Sequence, residues 1–372
     1  MIDMEKMPKL GYGLMRLPEV DGKIDLERVN GLVDTYLAAG LNYFDTAYVY
    51  HGGTSEVAVR ECIVKRHPRE SFTVATKLPG WSLHSFEDRD RIFEEQLERT
   101  GAGYFDFYLL HSVEDSGNYA QYEKYDCFNW AIEKKAQGLI RHLGFSFHGT
   151  PELLEKVLDL HPEVEFVQIQ LNYLDWDDPV IQSGRLYEIL HERNIPIIVM
   201  EPVKGGSLAN ISEPCAKVFS ECDPDRSVAS WALRFVASLP GVMTILSGMS
   251  NEEQLEDNIR TFTSFEPLSD KEQAAVTRVR GIMRDTPLIG CTACRYCTDG
   301  CPMQIDIPDI FKAVNAKRLD PKAWRPQNFY NAMTEKGGRA GDCVACGQCE
   351  SVCPQHLDII ELLQEASGQF DK

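Results

Sequence analysis

Short apolar runs alternate with amphipathic stretches through the first 265 residues. Eight of these runs are strand-sized: Lys9–Met15, Leu41–Asp45, Phe72–Lys77, Phe105–His111, Arg141–Ser146, Glu165–Leu171, Pro196–Met200 and Met243–Ser247. Helical patterns follow most of them. Leu26, Val29, Leu32, Val33, Tyr36 and Leu37 share one face, with Asp25 as N-cap and Gly40 as terminator. Ser85 and Asp88 have capping-box spacing ahead of Ile92, Phe93 and Leu97. Thr150 and Pro151 read as the N-cap and first residue of another helix. Strands alternating with helices argue for βα units and a parallel sheet. Eight of them point to a closed (β/α)8 barrel over residues 1–265, with a doubly wound open sheet as the alternative.

The pattern changes after a helical linker at 266–287. Residues 288–372 hold Cys291, Cys294, Cys297 and Cys301, then Cys343, Cys346, Cys349 and Cys353. Both runs read C-x2-C-x2-C-x3-C-P, closing on Pro302 and Pro354. Three thiolates at this spacing on a tight loop can cap three irons of one cubane, and the fourth begins the next segment. Zinc is the competing reading, but its sites commonly draw four ligands as two separated pairs. The 41 residues between the runs include Ile307–Val314 and Phe329–Met333, which have helical apolar spacing, as does Asp358–Ala366. The module resembles a small, mainly helical dicluster ferredoxin domain with two [4Fe–4S] clusters. In two-cluster ferredoxins the fourth cysteine serves the other cluster. That resemblance implies Cys291, Cys294 and Cys297 with Cys353, and Cys343, Cys346 and Cys349 with Cys301.

The chain has 372 residues, 43 % hydrophobic, and a formal charge of −19. From residue 288 onward 9 Lys+Arg face 11 Asp+Glu, so the preceding part carries −17. A strongly acidic surface repels phosphate backbones, which excludes nucleic acid as a partner. No apolar run approaches the ~20 residues of a membrane helix, and Ile195–Met200 already contains Pro196. The start, Met-Ile-Asp-Met-Glu-Lys, has no basic or apolar signal character. A cytoplasmic protein with no membrane partner is therefore expected. Grouped cysteines there bind metal rather than form disulfides. Cys62, Cys127, Cys215 and Cys222 are scattered.

Polar residues collect at one end of the expected barrel. Asp45, Lys77, His111 and Ser146 each end a strand, and Gln168 falls near the fifth residue of its own. Barrel enzymes place their chemistry at that end. Asp45-Thr46-Ala47-Tyr48-Val49-Tyr50 resembles the aldo-keto reductase motif D-T-A-x-x-Y, followed by Ser55-Glu56. Gly11–Arg16, Thr76-Lys77, Leu109-Leu110-His111, Gly144-Phe145-Ser146 and Val167–Gln170 resemble further segments of that family in the same order. The resemblance covers about residues 9 to 262 and implies a TIM barrel with a catalytic tetrad of Asp45, Tyr50, Lys77 and His111. A free tyrosine, with a pKa of about 10, is a poor acid near neutrality. An ammonium at ~4 Å favours its phenolate by up to ~4 kcal/mol at an effective dielectric near 20. Lys77 can supply that field, Asp45 can hold Lys77, and His111 can orient the substrate oxygen.

The same resemblance implies a nicotinamide site at Gly13, Met15, Ser146, Gln168, Met200, Ser247, Gly248, Gln254 and Asn258. Phe147 stands where many members have Asn, and Met200 where many have a stacking aromatic. A thioether also packs against a ring. Ser250 and Glu253 have capping-box spacing, and no cation follows Gly248 before Arg260. NADP(H) stays ahead of NAD(H) on family habit. Trp81, Tyr119, Tyr122 and Tyr125 are candidates for an aromatic substrate pocket. The expected function is nicotinamide-dependent interconversion of a small carbonyl and an alcohol, with two [4Fe–4S] clusters exchanging electrons with a redox protein partner. No flavin motif is visible to split a hydride into single electrons. The alternatives are purely structural clusters, and an electron-transfer protein that uses the barrel as a scaffold.

Overall fold

The computed structural model describes residues 2–114, 118–178, 181–263, 265–285, 287–319, 325–335 and 337–371. Thr286 of the expected linker, and parts of the segment between the cysteine runs, lie outside the described residues. The chain forms two compact units. One comprises Met1–Pro202 with Leu233–Pro267, the other Val203–Ala232 with Leu268–Lys372.

The first unit is built on eight parallel strands: β1 Leu10–Gly13, β2 Tyr43–Asp45, β3 Thr73–Pro79, β4 Phe105–Val113, β5 Ile140–Phe147, β6 Phe166–Gln170, β7 Ile197–Met200 and β8 Val242–Ser247. Each pairs with its sequence neighbours, and β1 pairs with β8, so the barrel is closed. The expected closed barrel is thus the one that forms, and not the doubly wound open sheet. Closure removes both edges, and β4 is buried at all nine positions.

Register explains how the interior is filled. Lys77 on β3 stands beside Leu109, Leu109 beside Gly144, and Gly144 beside Phe166. Partners in a parallel pair share a face, so these residues form one layer across four strands. Gly144 is required there: a Cβ on it would lie 2.7 Å from the Phe166 ring and 2.5 Å from the Phe166 carbonyl oxygen. Tyr43, Ala75, Phe107, Phe166, Ile198 and Met243 pack together, and Ile2 joins them.

The local signals act largely as the residues dictate. Asp25 accepts a hydrogen bond from Arg28 N at 3.1 Å, capping Leu26–Ala38. Thr150 accepts one from Leu153 N, with Pro151 opening Pro151–Leu160. Two caps differ. Ahead of Glu87–Thr100 only the acidic half of the box forms, with Asp88 accepting from Ser85 N at 2.9 Å. Before Glu252–Thr263 the box sits one residue later than Ser250/Glu253. Asn251 accepts from Gln254 N, and Gln254 from Ser250 N. The Ser250 hydroxyl instead donates to Arg16 O at 2.6 Å, which frees Asn251 to cap.

The second unit is mainly helical, with Asp270–Asp285, Ile307–Leu319, Arg325–Met333 and Ile359–Phe370. Its core packs Ile305, Ile310, Phe311, Val314, Tyr330 and Phe370 together with Cys297 and Cys349.

Gly144→Ala should destabilise the barrel by about 1–3 kcal/mol through overpacking. Gly31→Ala, at a helical site with open space, should stabilise by up to ~1 kcal/mol. Urea unfolding of both variants checks the opposite signs.

Candidate active site and cluster sites

β2 ends on Asp45, β3 carries Lys77 and β4 carries His111, so all three side chains converge at one end of the barrel. Lys77 is wholly buried. Its Nζ donates to Asp45 Oδ1 at 2.6 Å and to the Thr46 carbonyl at 2.6 Å. Burial disfavours both charges, drawing Lys77 down and pushing Asp45 up, and each is offset by the other. Tyr50 opens a short turn, Tyr50–Gly53, five residues beyond β2. The Lys77 ammonium lies 4.9 Å from the centre of its ring. The Tyr50 ring meets His111 edge-on at 6.0 Å, and the Trp81 ring stands 5.0 Å from His111. Burial first, and Lys77 second, hold the His111 imidazole well below its usual pKa, so it is neutral near pH 7.

The turn presenting Tyr50 is shaped by left-handed residues: His51 (φ 51°), Gly52 (φ 61°) and Gly53 (φ 89°). His51 is not glycine, and its ring anchors it to Glu19 at 2.7 Å and to Leu17 N at 3.3 Å. Behind Lys77 lies a network that sequence reading did not reveal. Glu56, fully buried, accepts from Thr76 Oγ1 at 2.7 Å and from Gln96 Nε2 at 3.0 Å. Gln96 also donates to the Lys77 carbonyl and accepts from Tyr108. Asn118 and Tyr122 donate to the His111 carbonyl. Tyr122 is therefore a support and not a pocket wall. Tyr119 and Tyr125 are buried too, and Trp81 alone of the four aromatics is exposed, at 44 %.

The expected nicotinamide contacts all belong to the first unit. Ser146 and Gln168 pair across β5 and β6. Ser146 Oγ accepts from Ser112 N at 2.8 Å. Gln168 Nε2 reaches Met200 Sδ at 3.5 Å, while its Oε1 is buried without a hydrogen-bond partner. That oxygen suits the NH2 of a carboxamide, so these residues fit a nicotinamide. Gly13 lies against Ser247 and Gly248, and Met15 sits in the turn that follows β1. Asn258 donates to Ser247 Oγ at 2.9 Å, and Gln254 is engaged in its helix cap. Two cations distant in sequence also arrive here. Arg28 forks onto Glu252 at 2.6 and 3.1 Å, and the Arg16 side chain covers Gly248. A search confined to the Gly248–Asn258 segment overlooks both.

In the second unit, Cys291, Cys294, Cys297 and Cys353 line one cavity with Ile307, Phe311, Leu357 and Ile359. The fourth cysteine of the second run thus joins the first three of the first run. Gly300, beside Cys301, rests on Gln348, beside Cys349; a Cβ there would lie 2.1 Å from Gln348 Nε2. This brings the fourth cysteine of the first run toward the second. Burial raises the thiol pKa of Cys297 and Cys353, and pushes Cys349 up to about 11. A bound metal centre reverses that preference by taking thiolate.

The backbone of the two runs is duplicated at an offset of 52 positions. Ala293 (φ 54°), Arg295 (φ 68°) and Gln304 (φ 54°) correspond to Ala345 (φ 53°), Gly347 (φ 78°) and His356 (φ 49°). The hydrogen bonds repeat as well: Cys301 N to Thr298 O and Cys353 N to Glu350 O, Gln304 N to Cys301 O and His356 N to Cys353 O. The same cradle is built twice.

Known proteins agree with both units. Residues 9–280 match the model of the aldo/keto reductase family, and residues 290–358 match a 4Fe-4S dicluster domain. An aldo-keto reductase of Mycobacterium avium is 28 % identical over 262 residues, covering 70 % of this chain and 82 % of its own. L-galactose dehydrogenase of Arabidopsis thaliana is 25 % identical over 298 residues, covering 75 % and 91 %. The solved holo form of aldo-keto reductase AKR11C1 from Bacillus halodurans shares the fold, with a TM-score of 0.60 at 23 % identity over 73 % of this chain and 91 % of that one. An aldo-keto reductase from Klebsiella pneumoniae in complex with NADPH does so with a TM-score of 0.57 at 22 % identity, over 74 % and 91 %. With a family match spanning the barrel and its polar end, the chain belongs to the aldo/keto reductase family, as an oxidoreductase that carries a 4Fe-4S dicluster domain C-terminal in sequence to its barrel.

Proposed function

We propose that the barrel interconverts a small carbonyl compound and its alcohol, using NADP(H) or NAD(H), with Asp45, Tyr50, Lys77 and His111 as its catalytic residues. The observation that carries this reading is the buried Lys77 ammonium, held by Asp45 and facing the Tyr50 ring. A bound nicotinamide supplies the hydride for carbon, or receives it in the reverse direction. Tyr50 gives the proton to the substrate oxygen, and the neighbouring ammonium favours its departure from the phenol. Neutral His111 offers a ring hydrogen bond that orients the same oxygen. Trp81, exposed beside His111, is the side chain best placed to meet the substrate. Gln168 and Ser146 would hold the carboxamide, Met200 would pack on the ring, and Gly13, Met15, Ser247, Gly248, Gln254 and Asn258 would line the rest of the cofactor site. NADP(H), the cofactor of the Klebsiella protein, is favoured; Arg28 and Arg16 stand at this segment but are paired with Glu252 and Glu201.

The eight cysteines would hold two [4Fe–4S] clusters in crossed sets, Cys291, Cys294, Cys297 with Cys353, and Cys343, Cys346, Cys349 with Cys301. They would trade single electrons with a redox protein in the cytoplasm, where grouped thiols stay reduced. Along the chain this reads as a barrel at 1–265, a linker at 266–287 and a cluster domain at 288–372, except that Val203–Ala232 groups with the second compact unit. Purely structural clusters are the second reading. Bleaching of the visible cluster absorbance by dithionite, but by no nicotinamide or protein donor, would favour it.

Anaerobically purified protein should contain close to eight irons and eight acid-labile sulfides; tightly bound zinc instead would sink the cluster assignment. Tyr50→Phe should lower kcat for carbonyl reduction at least ~100-fold, the usual scale of general acid catalysis. Nicotinamide affinity, read by fluorescence quenching, should stay within about twofold, since the phenol acts only during chemistry. Cys346→Ser alters the one exposed cluster cysteine. It should remove one set of EPR signals while carbonyl reduction with added nicotinamide persists. If reduction vanishes in a folded variant, the clusters take part in the reaction itself.

A further inference from the structure

Tyr50 opens the turn Tyr50–Gly53, in which His51, Gly52 and Gly53 all have left-handed φ. Left-handed backbone at a residue other than glycine persists only where its surroundings fix it. The His51 ring supplies one tie, to Glu19 and to Leu17 N. A second comes from Arg99, near the end of the helix Glu87–Thr100.

The Arg99 side chain is 22 % exposed, and its guanidinium is engaged in several directions. Nη1 donates to the Tyr48 carbonyl at 3.1 Å and to Glu56 Oε2 at 3.4 Å. Nη2 donates to Glu95 Oε1 at 2.6 Å. The guanidinium carbon lies 4.3 Å from the centre of the Tyr48 ring, within cation–π range. The Tyr48 hydroxyl donates to Glu95 Oε2 at 2.7 Å. Backbone, ring and hydroxyl of Tyr48 are thus all gripped, two residues before Tyr50. Three residues after Tyr50 the same guanidinium rests on Gly53, where a Cβ would lie 2.8 Å from Nη1. One planar group therefore touches the chain before and after the tyrosine.

A fork of several N–H donors in one plane suits this task, whereas an ammonium is a point charge on a flexible stem. The fork is itself fixed by its carboxylates. Glu56 is fully buried and accepts from Thr76 and Gln96. Gln96 also donates to the Lys77 carbonyl at 3.0 Å. The turn that carries Tyr50 and the strand that carries Lys77 are held by one connected network.

We infer that Arg99 is a positioning residue for Tyr50. Its guanidinium clamps Tyr48 and Gly53, so that the phenol keeps its place against the Lys77 ammonium. The inference rests on the reading of Tyr50 as the proton donor, which Tyr50→Phe tests separately.

The experiment uses the full chain with NADPH and benzaldehyde. Arg99→Lys keeps a cation for Glu56 and gives up the fork. It should lower kcat about tenfold, since a misplacement of about 1 Å costs up to ~100-fold, while the KM for NADPH stays within about twofold. In a Tyr50→Phe background the same substitution should change kcat less than about twofold, because the clamp has no phenol left to place. An unchanged kcat in Arg99→Lys, or an equal loss in both backgrounds, overturns the inference. Should Arg99→Lys fail to fold, Arg99→Met combined with Glu56→Gln, which strands no buried carboxylate, is read in the same way. Undiminished turnover in Tyr50→Phe alone overturns the acid role of Tyr50, and the inference with it. A readout without turnover is fluorine NMR of the chain carrying fluorotyrosine, with the Tyr50 resonance assigned by its loss in Tyr50→Phe. Its titration midpoint should rise by about one pH unit in Arg99→Lys, as the phenol drifts from the Lys77 ammonium. An unmoved midpoint overturns the inference whether or not benzaldehyde is reduced.

Discussion

The first unit is organised around one fully buried ammonium. Lys77 has no exposed surface, and its charge is met by the Asp45 carboxylate and the Thr46 carbonyl. An isolated charge in such a place would neutralise or pull the structure open. Asp45 must therefore end β2 at the height where Lys77 leaves β3, which is a demand on register. The pairing of Asp45 with Ala75, two residues before Lys77, meets that demand. The carbonyl of Lys77 is held from behind by Gln96, and Gln96 in turn by Glu56 and Tyr108. The Tyr50 ring, the neutral His111 and the open flank at Trp81 are arranged around a charge that cannot move without leaving a carboxylate stranded.

The second unit solves the opposite problem. Its cysteines must give up protons in apolar surroundings that resist thiolate, as Cys297 and Cys349 show. Two copies of one left-handed backbone cradle, 52 residues apart, present them. Cys353 of the second copy lines one cavity with Cys291, Cys294 and Cys297 of the first, which ties the two copies together. The repeated residues differ where charge matters: Arg295 stands opposite Gly347 and bears left-handed strain to reach Asp306 and Asp309.

Much of this was legible before any coordinates. The strand-and-helix alternation implied eight βα units because parallel strands buried on both faces read as continuous apolar runs. Asp45, Lys77 and His111 stood out because polar residues at the ends of such runs have no packing reason to be there. The supporting roles stayed hidden. Glu56 and Gln96 lie on amphipathic helices, where a polar residue is ordinary until its burial is known. Arg28 was missed because it approaches Glu252 from 224 positions away. Tyr122 was misjudged because a loop aromatic reads alike whether its hydroxyl lines a pocket or secures the Gly80 and His111 backbone.

Residue type and spacing by themselves settled which chemistry the chain can hold. Cysteines at intervals of three, three and four residues determine a cluster ligand loop because those ligands are local in sequence. The period of the apolar runs determines strand and helix for the same reason. Tertiary structure alone decided closure of the barrel, the depth at which Lys77 is buried, and the side from which Arg16 and Arg28 arrive. Each of these depends on register or on contacts between distant segments. Such contacts carry no local signature, since the energy that selects them comes from burying apolar surface and pairing buried charge across the whole unit.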